Sequence, residues 1–191
     1  MKKKVLAVIG CLGFIIILSI GLTTAYFTSQ KKVENTLHMG KIDVNVTEKV
    51  LKSSKEMVGV TLGSESSKCW VRLYVGIPVG NNGAGIYDTA YLVNESGQWL
   101  MEDGTVIENG AWLNEDGTLV DTDKAFEGGW LYYNEPLSGG DSRICFKEIK
   151  AVPLLSPDDK PANLDVIVYT EGVQYMDGET DPIAAFTRLK Q

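Results

Sequence analysis

Histidine is almost missing from this 191-residue chain, which has one imidazole, His38. A zinc protease of the common kind needs two histidines one helical turn apart with a glutamate between them, so that motif is excluded. A Ser-His-Asp or Cys-His arrangement would have to use His38. It sits in a polar stretch near the amino terminus, not in a scaffolded pocket, and reads as a surface residue. Cysteine is scarce as well. Cys11 lies in an apolar run, which leaves Cys69 and Cys145 to form one bridge or to stand as small core residues, and neither option is a disulfide framework. Basic residues are outnumbered, 18 Lys and Arg against 25 Asp and Glu, for a formal charge of −7. That balance disfavours nucleic acid and anionic lipid as partners. The glycine-rich stretch Gly80 to Gly85 is not followed by Lys-Ser or Lys-Thr, so it is a loop and not a phosphate cradle. Paired carboxylates abound in any acidic chain and carry no information about glycoside hydrolysis.

Long apolar runs are also lacking, with one exception. Three lysines precede Val5 to Leu22, 18 apolar or small residues, which matches either a signal peptide or a short spanning helix. Thr23 and Ala25 then place small side chains where a signal peptidase pocket must accept them, so cleavage is expected between Ala25 and Tyr26. The alternative is an uncleaved anchor with its lysines in the cytoplasm, which makes the leader the chain's one link to a membrane. Cleavage removes three lysines and no acid, leaving 15 basic and 25 acidic residues and a charge of −10. The expected organisation is a leader over 1–25 and one domain over 26–191, opening with a polar arm over 26–40.

Apart from the leader, no segment keeps a 3.6-residue apolar period over three turns. The weak exceptions are Asp181 to Gln191 and Asp88 to Val93, each a candidate short helix. Strand patterns are plentiful. Lys41 to Thr47 puts Ile42, Val44 and Val46 on one face. Cys69 to Pro78 sets Trp70, Arg72 and Tyr74 opposite Val71, Leu73 and Val75. Leu164 to Thr170 reads as a strand buried on both faces, and Arg143 to Ile149 as a further strand. WLMEDGTVIENGA from Trp99 and WLNEDGTLVDTDK from Trp112 repeat one another. Their Asp103-Gly104 and Asp116-Gly117 pairs predict two-residue type I′ turns, within an acidic hairpin insert over 97–127. Asn114, Asp116, Asp121 and Asp123 are oxygen ligands, but their spacing falls short of a calcium loop, so no metal and no cofactor are expected. The fold class expected is all-β: a jelly-roll-like β-sandwich preceded by an apolar signal helix, with an inserted pair of short hairpins.

Thr23-Thr24-Ala25-Tyr26-Phe27, then Asn35-Thr36-Leu37 and Gly40-Lys41-Ile42-Asp43-Val44, resembles the start of the TasA/camelysin family of Gram-positive exported proteins. The family often carries an aromatic where this chain has Leu37. Gly128 to Ser142, GGWLYYNEPLSGGDS, and Leu164 to Gln174, LDVIVYTEGVQ, are similar to segments of clostridial members. The resemblance implies a jelly-roll domain, a leader handled by a signal peptidase of the SipW type, and fibres of an extracellular biofilm matrix. In those fibres the first strand of one subunit completes the sheet of the next. Some relatives are described as metalloproteases, which the lone His38 argues against here.

The reading is therefore a secreted, non-enzymatic protein of the cell surface or matrix, associating with itself or with a related subunit. Its key residues are Thr23, Ala25 and Tyr26 at the junction and Ile42, Val44 and Val46 in the exchanged strand. Pairing of that strand within its own chain is the competing possibility. The second hypothesis is an extracellular carbohydrate or cell-wall binding module, the repeats being similar to aromatic wall-binding repeats. Trp70, Trp99, Trp112, Trp130, Tyr132 and Tyr133 would then line a stacking surface if exposed on one face, and would not if they fill the core.

Overall fold

A computed structural model describes residues 40–51, 54–78, 87–151 and 166–188, all within one compact unit, Gly40–Gln191. Among the described residues there are eight strands: β1 (Val44–Val50), β2 (Ser54–Leu62), β3 (Cys69–Gly76), β4 (Tyr87–Tyr91), β5 (Trp112–Leu113), β6 (Gly129–Tyr133), β7 (Ser142–Ala151) and β8 (Ile167–Gln174). One short helix, α1 (Pro182–Thr187), follows them. The strands form two antiparallel four-stranded sheets, ordered β1-β2-β7-β4 and β5-β6-β3-β8. The fold is all-β.

Alternation makes the core. In β3, Val71, Leu73 and Val75 are fully buried, while Trp70, Arg72 and Tyr74 turn to the other face, as the period of two requires. Val58, Val60 and Leu62 of β2, Leu131 and Tyr133 of β6, and Phe146 and Ile149 of β7 join the same cluster, so both sheets share one apolar interior. A smaller cluster lies under α1, where Ala185 and Phe186 cover Trp70, Tyr132 and Val173. The helix begins at Asp181, whose Oδ1 accepts from the backbone amides of Ile183 and Ala184, with Pro182 in the first turn.

The structure departs from the sequence reading at four points. Asp88 to Val93 is not helical: Tyr87–Tyr91 is strand β4, because pairing with β7 outweighs a weak local period. The strand expected over Leu164 to Thr170 is described only from residue 166; there it is β8, an edge strand among the described residues and not buried on both faces, with Ile167 59% and Tyr169 41% exposed. β2 was not read as a strand: Val58, Val60 and Leu62 alternate inward, but Lys55 and Glu56 precede them and Gly59 has no side chain. The bulge at Val58/Gly59 lies in β7, where Cys145 is the extra residue.

The fourth concerns the turns. At Met101 to Gly104 and Asn114 to Gly117 the glycine amide donates to the carbonyl three residues earlier. Positive φ occurs at Gly104 (86°) and Gly117 (81°) but not at Asp103 or Asp116. These are type I turns followed by a glycine bulge, not two-residue type I′ turns, which need positive φ at both central residues. The aspartates instead cap the turn. Asp103 Oδ1 accepts from the Thr105 amide, and Asp116 Oδ1 accepts from both the amide and the hydroxyl of Thr118. These bonds hold both carboxyls below the usual carboxylate pKa. A lowered folded-state pKa means the turns' contribution is complete above about pH 4, the unfolded value, and is lost as pH falls through the lower folded value. We expect the protection factor of the Thr118 amide, measured by NMR against the intrinsic exchange rate at each pH, to fall over that acid window in the native chain. In Asp116→Ala that protection should be absent at every pH.

Candidate binding surfaces: an open sheet edge and an aromatic face

β1 is an edge strand, hydrogen-bonded to β2 on one side, with Val44 facing Leu62 and Val46 facing Val60. Ile42, expected within this strand, precedes its first residue. Its segment is anchored instead by the Asp43 amide donating to Ser66 Oγ and by backbone bonds from Gly63 to Asp43 and Ser67 to Lys41. Ile42 and Val44 pack on the main core and reach across to β8, where a Cβ on Gly172 would lie 2.9 Å from Ile42 Cγ2. The glycine is the slot these two side chains occupy. Val46 is half-buried. Within the described residues, then, the strand pairs in its own chain, and the outer edges of both β1 and β8 carry no strand. Val50 (64% exposed) and Leu51 lie at the end of β1.

The outer face of the second sheet is built in rows across three strands. Trp130, Tyr74 and Tyr169 form one row; Tyr132, Arg72 and Glu171 form the next. The ring centroids of the first row lie 5.3, 4.8 and 5.0 Å apart, a near-equilateral triangle. The indole therefore does not stand in line with the two phenols but bridges their edges, close to perpendicular to both. Arg72 lies between Trp130 (3.8 Å) and Phe186 (4.5 Å), and donates through Nε and Nη2 to Glu171 Oε2 at 2.9 and 2.5 Å. Hydrogen bonds to Glu171 and Tyr132 outweigh burial and push the guanidinium pKa up, so it stays charged.

The other residues singled out from sequence are dispersed. Thr23, Ala25, Tyr26 and His38 lie outside the described residues. Cys69 and Cys145 are free, fully buried thiols, one on each sheet; loss of hydration raises both pKa values, that of Cys69 to about 11. Of the two readings of this pair, the structure has core residues and not a bridge. Trp99 and Trp112 belong to the main core, and Trp70, Tyr132 and Tyr133 are buried too. The six-residue stacking surface is thus corrected to a single half-exposed member, Trp130, because the large rings of the hairpins are what closes the interior over β4 and β7. Trp112 Nε1 donates to the Ile144 carbonyl, and Trp99 packs edge-on to Tyr91. Among Asn114, Asp116, Asp121 and Asp123, the Asp116 and Asp121 carboxylates are engaged with their own turns, and Asp121 also pairs with Lys124. Among the described residues no group of three or more His, Cys, Asp or Glu could hold a metal ion, and no helix is long and apolar enough to cross a membrane.

Two features escaped the sequence reading. Tyr74 and Tyr169 complete the aromatic row, and only the strand register brings them beside Trp130. The hairpin unit also occurs three times. Val93 pairs with Trp99 across the turn Asn94 to Gly97, as Leu100 does with Val106 and Leu113 with Leu119. The same two backbone bonds close each unit. The signal was present in Asn94-Glu95-Ser96-Gly97 beside Asn114-Glu115-Asp116-Gly117, but the first unit overlaps the second by sharing Trp99. A shallow pocket of about 350 Å³ lies between the second hairpin and β7, lined by Met101, Asp103, Asp141 and Arg143. Arg143 is turned away to the Tyr133 hydroxyl and the Ser142 carbonyl.

Comparison with protein-family models, with curated proteins and with solved structures finds no match for this chain.

Proposed function

We propose that this chain is an exported, non-catalytic structural protein of a Gram-positive cell surface or biofilm matrix, which assembles with itself or a related subunit by exchange of its first strand. The observation that carries the reading is the outer edge of β8, open among the described residues, beside a half-buried first strand. An eight-stranded jelly roll orders its sheets 1-8-3-6 and 2-7-4-5. The trios 2-7-4 and 8-3-6 are both present here, while β1 lies on β2 instead of β8 and β5 on β6 instead of β4. On this proposal the fold derives from a jelly roll by moving two strands across the seam.

The place a first strand takes in that fold, the edge of β8, has no strand on it among the described residues. Unpaired backbone groups on a sheet edge are a template for an extended segment from another chain. Ile42, Val44 and Val46 would supply the buried face in either chain, so exchange costs little beyond ordering the arm. Addition of this kind is head-to-tail, and where the rotation does not close it makes a filament. Processing by a peptidase of the SipW type between Ala25 and Tyr26 would free the arm that carries the strand.

The test compares the chain beginning at Tyr26 with one beginning after Thr47, by size-exclusion chromatography and electron microscopy. The longer form is expected to give oligomers or filaments and the shorter to lose them. Two indistinguishable monomers under all conditions would remove the reading.

A further inference from the structure

α1 covers only part of the outer face of the sheet β5-β6-β3-β8. Phe186 and Ala185 seal Trp70, Tyr132 and Val173, and beyond Arg72 no element among the described residues covers the face. The bare part holds Tyr169 (41% exposed) and Ile167 (59%), with the half-buried Tyr74 and Trp130 beside them. We propose that this uncovered part is a binding surface for a neutral polysaccharide chain, with the exposed Tyr169 ring and the packed Tyr74 and Trp130 rings forming one apolar platform under a pyranose of the chain and Glu171 taking its hydroxyls.

Three properties of the surface select that ligand. The first is charge. Arg72 and Glu171 neutralise one another, so the patch carries no net charge on a chain of −7. A polyanion would meet the field of the whole molecule, and a cation would find Glu171 already bound through Oε2. The second is the mix of groups. Rings of large apolar area stand beside polar atoms that, among the described residues, have no hydrogen-bond partner: the Tyr74 and Tyr169 hydroxyls and Glu171 Oε1. Aromatic area with a few convergent polar atoms suits a polyhydroxylated ring, which has C–H faces and O–H edges. A purely apolar partner would leave those oxygens buried and unpaired.

The third property is rigidity. The three rings wedge one another, and Arg72, only 11% exposed, is clamped between Trp130 and Phe186 and tied to Glu171. Little side-chain freedom is left to lose on binding. The three centroids lie 4.8 to 5.3 Å apart, so the aromatic platform matches one pyranose ring of a chain. The surface is distinct from the first strand, so this inference does not depend on assembly.

The test is native affinity electrophoresis of the full chain through gels containing hydroxyethylcellulose or glycol chitin, which separate glucan from amino-sugar recognition. Retardation of the native chain in at least one gel is expected. Tyr169→Ala and Trp130→Ala should weaken it about tenfold or more, and Leu119→Ala, an exposed residue elsewhere on the fold, should not. Far-ultraviolet circular dichroism of each variant separates lost binding from lost fold, Tyr169→Ala being the milder change. Equal mobility of the native chain in both gels and in a blank gel overturns the proposal. So does Tyr169→Ala retarded as strongly as the native chain, or a Tyr169→Ala that alters oligomer size while retardation is absent, which would make the face a contact between copies. A monomer that is retarded leaves this inference standing and removes the fibre reading.

Discussion

Gly59→Ala is expected to cost at least about 3 kcal/mol, the upper range for overpacking, because the clash is with main chain and not with a movable side chain. A Cβ there would overlap the Arg143 carbonyl oxygen and stand 2.7 Å from Ile144 Cα. β2 cannot retreat, since β1 and β7 hold it on both sides and Val58 and Val60 are locked in the core. The nearby bulge makes matters tighter. β7 inserts Cys145 between the partners of Val58 and Gly59, which brings its backbone close at that point. Against a whole-domain stability of about 5 to 15 kcal/mol, such a loss is a large fraction. Urea unfolding followed by tryptophan fluorescence measures it. A midpoint unchanged from the native chain would show that the two strands do not approach as closely as described.

Trp112→Ala should be of similar size, about 3 to 5 kcal/mol, in line with other large-to-small changes at fully buried aromatic sites. The ring is 1% exposed and packs edge-on against Tyr133 at 5.3 Å. Its Nε1 donates to the Ile144 carbonyl at 3.3 Å, so truncation also leaves a buried acceptor unpaired. Trp130→Ala provides the contrast. That ring is half-buried and its partners are Arg72, Tyr74 and Tyr169, so about 1 to 2 kcal/mol is expected. Paired denaturation curves decide the point: equal losses would mean that Trp130 is as much a core residue as Trp112, and the outer face would then lack its ring.

The contrast between these tryptophans shows how far sequence carried the argument. Trp99 and Trp112 repeat in near-identical surroundings, which correctly marks them as equivalent parts of equivalent hairpins but says nothing about which way they point. The hairpins lie across the open side of the interior, and that placement turns both rings inward. Trp130 follows two glycines and precedes an alternating stretch, yet its neighbours Tyr74 and Tyr169 are distant in the chain. A cross-strand row is a property of register, and register is fixed by how two faces bury together. The same holds for the turns. Asp-Gly marked the right places, but whether the glycine takes the second central position or the bulge depends on the length of the loop that the flanking pairs enforce.

From its residues alone the chain was determined to be a β protein, with Val71, Leu73 and Val75 inward, Trp70, Arg72 and Tyr74 outward, and a short helix after Asp181. Each of these follows from local periodicity or capping, which act over a few neighbouring residues. Tertiary structure alone decided that β1 lies on β2 while the outer edge of β8 carries no strand among the described residues, that Cys69 and Cys145 stay apart on two sheets, and that three rings from three strands meet on one face. These are contacts between segments far apart in sequence, where the outcome depends on which surfaces bury together and not on the pattern within any one segment.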